Sequence, residues 1–107
     1  MKKRINHSEI ELEILRNLES NPDLTQRQIA EKLGVSLGKT NYLIKALLAK
    51  GFVKVNNFRT SNNKLGYMYM LTPEGIENKT KLTILFLQRK SEEYNKLKKE
   101  MENIIDS

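Results

Sequence analysis

The sequence predicts a mainly α-helical fold with one small β-hairpin, an α+β arrangement. Three observations predict it. Residues 8–20, 25–33 and 36–50 each join an N-terminal capping residue to apolar positions at helical spacing. Residues 52–58 and 67–71 are rich in β-formers and flank a polar loop. After Gly75 the chain continues with neither Pro nor Gly, which predicts one long terminal helix.

The first helix opens at Ser8, with Glu11 three residues on completing a capping box. Ile10, Ile14 and Leu18 recur at i, i+4 and i+8, and Leu12 and Leu15 widen the stripe. Glu9, Glu11 and Glu13 favour its N-terminal dipole and make it a poor surface for a polyanion, so it reads as scaffold. Asn21-Pro22-Asp23 breaks it. Residues 1–7 precede it as a short basic arm, expected to be flexible. His7, the single histidine, is placed just outside the helix and has no companions at ligand spacing.

The second helix has Thr25 as N-cap with Gln28 completing the box, and Leu24 and Ile29 at staple positions. Gly34 can end it in a left-handed conformation. Ser36 can cap a third helix two residues later, and Gly51 can close that one. Helix, short glycine-containing turn, helix is the helix-turn-helix pattern. Ile29, Ala30 and Leu33 face inward from the second helix, and Thr40, Leu43, Ile44, Leu47 and Leu48 from the third. That leaves Leu37, Gly38, Lys39, Asn41, Tyr42 and Lys45 outward. A helix over 36–50 is ~22 Å long at 1.5 Å per residue, enough to enter a major groove. Asn is suited to adenine, Lys to guanine acceptors or phosphate, and Tyr to phosphate, sugar or a thymine methyl.

Val53 and Val55 fall on one side of the first strand, and the loop at 59–66 carries Arg59, Asn62 and Lys64. A hairpin directly after the third helix is a wing, and its basic tip suits a minor groove or the phosphates beside it. Thr72 then caps a helix with Pro73 at its first position and Glu74 in its first turn. It runs to about residue 105, some ~45 Å. Leu82, Ile84, Leu85, Phe86 and Leu87 are apolar around most of its circumference. Tyr94, Leu97, Met101 and Ile104 then step by 3, 4 and 3, a short coiled-coil seam. Leu82, Leu85, Phe86, Tyr94, Leu97, Met101 and Ile104 are accordingly the expected homodimer interface.

Charge is unevenly placed. The net charge is +6, yet no Asp or Glu occurs from residue 32 to 73. That window holds Lys32, Lys39, Lys45, Lys50, Lys54, Arg59 and Lys64, a charge of +7, and the remainder sums to −1. The pattern is the footprint of a polyanion-binding face, or else of an ordinary basic solubilising one. With no cysteine, disulfides, zinc fingers and thiol chemistry are excluded. The apolar run at 82–87 is too short to span a bilayer and the N-terminus lacks the apolar core of a leader, so a soluble cytoplasmic protein without a membrane partner is expected. No nucleophile–base pair, metal cluster or phosphate-cradling loop appears, so neither an enzyme nor a cofactor or metal site is expected.

Residues 33–36 (Leu-Gly-Val-Ser), Leu47 with Lys50-Gly51-Phe52-Val53, and Tyr69-Met70-Leu71-Thr72-Pro73-Glu74-Gly75 resemble winged helix-turn-helix regulators of the MarR-like group over residues 8–78. More narrowly, residues 35–42 and 63–67 resemble the short MarR-like regulators found with exopolysaccharide biosynthesis genes. The resemblance implies transcriptional control through double-stranded DNA and dimerisation through helices. It divides the chain into the arm (1–7), a winged helix-turn-helix domain (8–72) and a long C-terminal dimerisation helix (73–107). The expected DNA contacts are Ser36, Leu37, Gly38, Lys39, Asn41, Tyr42 and Lys45 on the recognition helix, with Arg59, Asn62 and Lys64 on the wing. MarR-like proteins surround the winged domain with helices at both ends and bind small ligands between the two regions. Only seven residues precede the first helix here, which leaves a small-molecule effector doubtful. The alternative function is a winged-helix protein-interaction module that does not bind DNA.

Overall fold

The computed structural model describes residues 7–59 and 65–106, with side chains at 57–59 and 65–67 left out of the description. The elements run α1 (His7–Ser20), α2 (Gln26–Leu33), α3 (Leu37–Ala49), β1 (Val53–Arg59), β2 (Leu65–Leu71) and α4 (Pro73–Asp106). This is a mainly helical winged helix-turn-helix fold with a two-stranded antiparallel hairpin and a long C-terminal helix.

Local signals place most boundaries. The Thr25 side chain accepts from the Gln28 N–H, and the Gln28 side chain accepts from the Thr25 N–H, so the expected box is formed. α2 and α3 end in the same way. Gly34 and Gly51 both take positive φ, 67° and 76°, where a β-carbon would be strained. The N–H of Val35 reaches back to the Ala30 carbonyl, and that of Phe52 to the Leu47 carbonyl. The start of α1 differs from expectation. His7 is already helical rather than lying outside, and Ser8 stands inside the helix rather than capping it. A helix's first N–H groups need no intrahelical partner, so helical geometry can run past a cap pattern at little cost.

The core lies where α1, α2 and α3 meet. Ile10, Ile14, Leu15, Leu18, Leu24, Ile29, Leu43, Ile44, Leu47 and Val53 form one buried cluster. Each fully buried Leu or Ile stabilises the fold by about 1.5–3 kcal/mol relative to exposure. Leu33 and Leu48 are only partly buried at its margin.

The hairpin is longer than its sequence suggested. Val53 pairs with Leu71, and the ladder continues to Phe58 with Gly66 and Arg59 with Leu65. Arg59, Leu65 and Gly66 therefore belong to strands, not to the expected loop, of which residues 60–64 lie outside the described residues. Backbone pairing continues into polar sequence because a solvated hairpin needs no apolar side chains. Val55 shares a face with Val53, yet Val53 is buried and Val55 exposed, since the strand leaves the core behind as it projects.

The base of the hairpin locks α4 in place. The Thr72 hydroxyl donates to the Gly51 carbonyl and accepts from the Gly75 N–H, while the Thr72 N–H donates to the Phe52 carbonyl at 3.1 Å. Gly75 is buried against that same carbonyl, and a β-carbon there would collide with its oxygen and lie 2.8 Å from its carbon. From this anchor α4 runs along α1, with Lys79 paired to Glu19 at 2.7 Å. Leu82 packs on the core and Phe86 is buried, its ring under the Arg89 guanidinium. From residue 87 to 106 every position is exposed, and the molecule is drawn out to 69 × 31 × 22 Å.

Gly75→Ala should destabilise the protein by about 1–3 kcal/mol, as overpacking against backbone does. Thermal unfolding followed by circular dichroism measures it. An unchanged midpoint would mean that the first turn of α4 is not locked on Phe52.

Candidate nucleic-acid interface

α3 is presented by what holds it from behind. The Ser36 hydroxyl accepts from the Lys39 N–H at 3.0 Å and fixes the first turn. Thr40 is fully buried, and its hydroxyl donates to the Ser36 carbonyl at 3.0 Å, so the one buried polar side chain of the described core is satisfied locally. With Thr40, Leu43, Ile44 and Leu47 inward, the opposite side of the helix is fixed by its period of 3.6 residues. Gly38, Tyr42, Lys45 and Ala49 fall in one line along it, at i, i+4, i+7 and i+11. All four are exposed, and Tyr42 at 64 % is the largest side chain on the ridge.

The other expected contacts flank this line. Asn41 and Lys39 are half-buried on either side, whereas Leu37 and Ser36 are exposed at the N-terminal end. Arg59 ends β1, with its side chain outside the description, and Asn62 and Lys64 lie outside the described residues. Three features had not been expected. Ala49 extends the ridge, as the 3.6-residue spacing already implied. The His7 ring stands edge-on to Tyr42, with centroids 6.5 Å apart, which brings the start of α1 beside the ridge. Gln26 donates to the Tyr69 hydroxyl at 3.0 Å and ties the start of α2 to the hairpin. The last two join residues distant in sequence and have no local signal.

The ridge is basic because acids are engaged elsewhere. Glu11 reaches Lys50 at 3.5 Å, which withdraws that lysine toward α1. Glu13 pairs with Arg16 and Glu19 with Lys79. Among the described residues Lys39, Lys45 and Lys54 make no ion pair, so their charge stays available to a partner. No group of three or more metal-ligating side chains occurs among the described residues, and no described helix is long and apolar enough to cross a membrane.

α4 divides the expected interface residues into two sets. Leu82 and Phe86 face the chain's own core. Tyr94, Leu97, Met101 and Ile104 are 55–74 % exposed. Leu85 lies on the opposite side of the helix from Tyr94, nine residues on at about 100° each, so a straight seam does not hold both. Leu87 is exposed and sits seven residues before Tyr94, in register with the seam.

Comparison with known proteins agrees with this geometry. A family described as winged helix-turn-helix DNA-binding matches residues 7–54. Among curated proteins none matches the chain. Of solved structures, the smu.1704 protein of Streptococcus mutans aligns with a TM-score of 0.72 at 19 % identity, over 84 % of this chain and 87 % of that one. Staphylococcus aureus MarR, in complex with salicylate and kanamycin, aligns with a TM-score of 0.60 at 19 % identity, over 80 % of this chain. This chain spans only 56 % of that protein's length. A MepR variant of S. aureus, bound to an oligodeoxyribonucleotide, aligns with a TM-score of 0.60 at 20 % identity, over 95 % of this chain and 78 % of that one. The class is therefore that of winged helix-turn-helix folds, and several of its structural neighbours are MarR-family regulators.

Gly38 has nothing within 4 Å of where its β-carbon would be, and its φ is not in the left-handed region. Gly38→Ala should therefore leave the fold intact and raise its stability by up to about 1 kcal/mol. A lower melting temperature would assign Gly38 a packing role inside the chain.

Proposed function

We propose that this protein is a sequence-specific double-stranded DNA-binding transcriptional regulator acting as a homodimer. The observation that carries the reading is the exposed ridge Gly38–Tyr42–Lys45–Ala49, flanked by Asn41 and Lys39 and with its lysines in no ion pair among the described residues, on a helix-turn-helix that matches a DNA-binding family. α3 lies in the major groove with its N-terminal half against the bases. Ser36 and Leu37 meet the DNA at the helix start, and Gly38 lets backbone approach backbone. Asn41 reads adenine, Tyr42 packs on phosphate, sugar or a thymine methyl, and Lys39 and Lys45 hold phosphates or guanine. Arg59, Asn62 and Lys64 place the wing on the minor groove or its phosphates.

Two copies meet through the exposed seam of α4, Leu87, Tyr94, Leu97, Met101 and Ile104, and set the recognition helices about one DNA turn, ~34 Å, apart. The protein works in the cytoplasm without catalysis or cofactor. The resemblance of residues 35–42 and 63–67 to regulators found with exopolysaccharide genes supports those genes as its targets. The bound oligodeoxyribonucleotide in the MepR structure supports the same mode of action.

Fluorescence anisotropy against a library of duplex half-sites at two salt concentrations tests the base and phosphate roles. Lys45→Ala should weaken all sites alike and lower the salt slope by about 1, whereas Asn41→Ala should lose about 1–3 kcal/mol only at preferred sites. Equal loss across sites for Asn41→Ala would remove it from the base contacts. No binding to any duplex at ~50 mM salt, where phosphate contacts are strongest, would point instead to a protein-interaction module.

Leu97→Glu with Met101→Glu should give a monomer by sedimentation and a large loss of DNA affinity. A persisting dimer would place the interface elsewhere.

A further inference from the structure

We infer that the exposed half of α4 pairs with its copy in parallel, in register, so that both readers stand at the same end of the dimer. This rests on the proposed homodimer and adds its geometry. Tyr94 and Met101 occupy one core position of a heptad and Leu97 and Ile104 the other, with Leu87 in register above. All five are exposed, on a segment that faces solvent at every position from residue 87 to 106. A solvent-facing stripe of this length fits an equal stripe on a second copy.

The flanking charges choose the direction. On one side of the seam stand Glu93 and Glu100; on the other stand Ser91, Lys98 and Ile105. In a parallel pair each flank faces the opposite flank of its partner, five residues further on. Glu93 then meets Lys98 of the second copy, and symmetry repeats the contact. In an antiparallel pair each flank faces its own kind. Glu93 and Glu100 then fall opposite their own flank and never opposite Lys98, so no Glu–Lys contact forms between the copies. Lys90 falls on the seam, where parallel pairing brings it beside its copy. Lys90 stands 3.6 Å from Glu93 of its own helix, so its stem can cover the seam while its ammonium turns outward to that carboxylate. Parallel pairing places the twofold axis along α4, so the two winged heads lie side by side at one end of the pair.

The chain has no cysteine, so engineered ones report without background. Tyr94→Cys and Ile104→Cys sit in the exposed segment, away from the core. Parallel pairing predicts that each variant, alone and mildly oxidised, becomes mainly disulfide-linked dimer that reductant dissolves. Cross-linking only when the two are mixed would establish antiparallel pairing and overturn the inference. No cross-linking, with the unmodified protein a dimer by sedimentation, would place the interface elsewhere and overturn it too. A monomeric unmodified protein would instead remove the homodimer on which the inference rests. Glu93→Lys gives an independent sign. It should weaken a parallel dimer several-fold by setting a second positive charge against Lys98 of the other copy; a dimer left as tight as before would overturn the inference.

Discussion

The carbonyl of Phe52 receives the Thr72 N–H, and the first turn of α4 packs so closely on it that residue 75 has no room for a β-carbon. Three parts of the molecule meet at this point. Gly51 and Phe52 close α3, Val53 begins the hairpin, and Pro73 begins α4. Because the contact is backbone against backbone, no side chain can give way to relieve it. The direction of α4 is thereby set relative to α3. The far end of α4 is referred back to α3 through a joint with little slack.

The exposed ridge of α3 follows from burial behind it. α3 carries four inward residues, and their packing on Ile14, Leu15, Leu18 and Ile29 leaves one line of the helix in solvent. Thr40 belongs to the inward group although it is polar, because its hydroxyl is satisfied within the helix and costs the core little. The charge of the surface has a similar origin. Glu13, Glu11 and Glu19 of α1 pair with Arg16, Lys50 and Lys79. Lys39 and Lys45 are left without such partners. The uncompensated positive charge of this face is thus a property of how the helices are arranged as well as of their composition.

The chain is economical in how it uses α4. Its first part contributes Leu82 and Phe86 to the body, and the remainder offers a separate stripe to solvent. The two faces differ by roughly a quarter turn, so the side chains that pack α4 on the body are not those of the exposed stripe.

Much of the molecule was legible from local chemistry. Thr25, Gln28, Gly34, Ser36 and Gly51 state their caps in the sequence because each acts on backbone within a few residues. The α3 ridge and the Tyr94–Ile104 seam follow from the helical period alone. Three things required the tertiary structure. Leu82 and Phe86 could be assigned to the core rather than to a partner only once α4 was seen lying on α1. The hairpin's extra pairs depend on its two strands meeting, which composition does not encode at 59 and 66. The contacts His7–Tyr42 and Gln26–Tyr69 join residues far apart in the chain. Caps and periodicity are local and therefore written in sequence, whereas the choice of which apolar face is covered, and by what, is made only when distant elements come together.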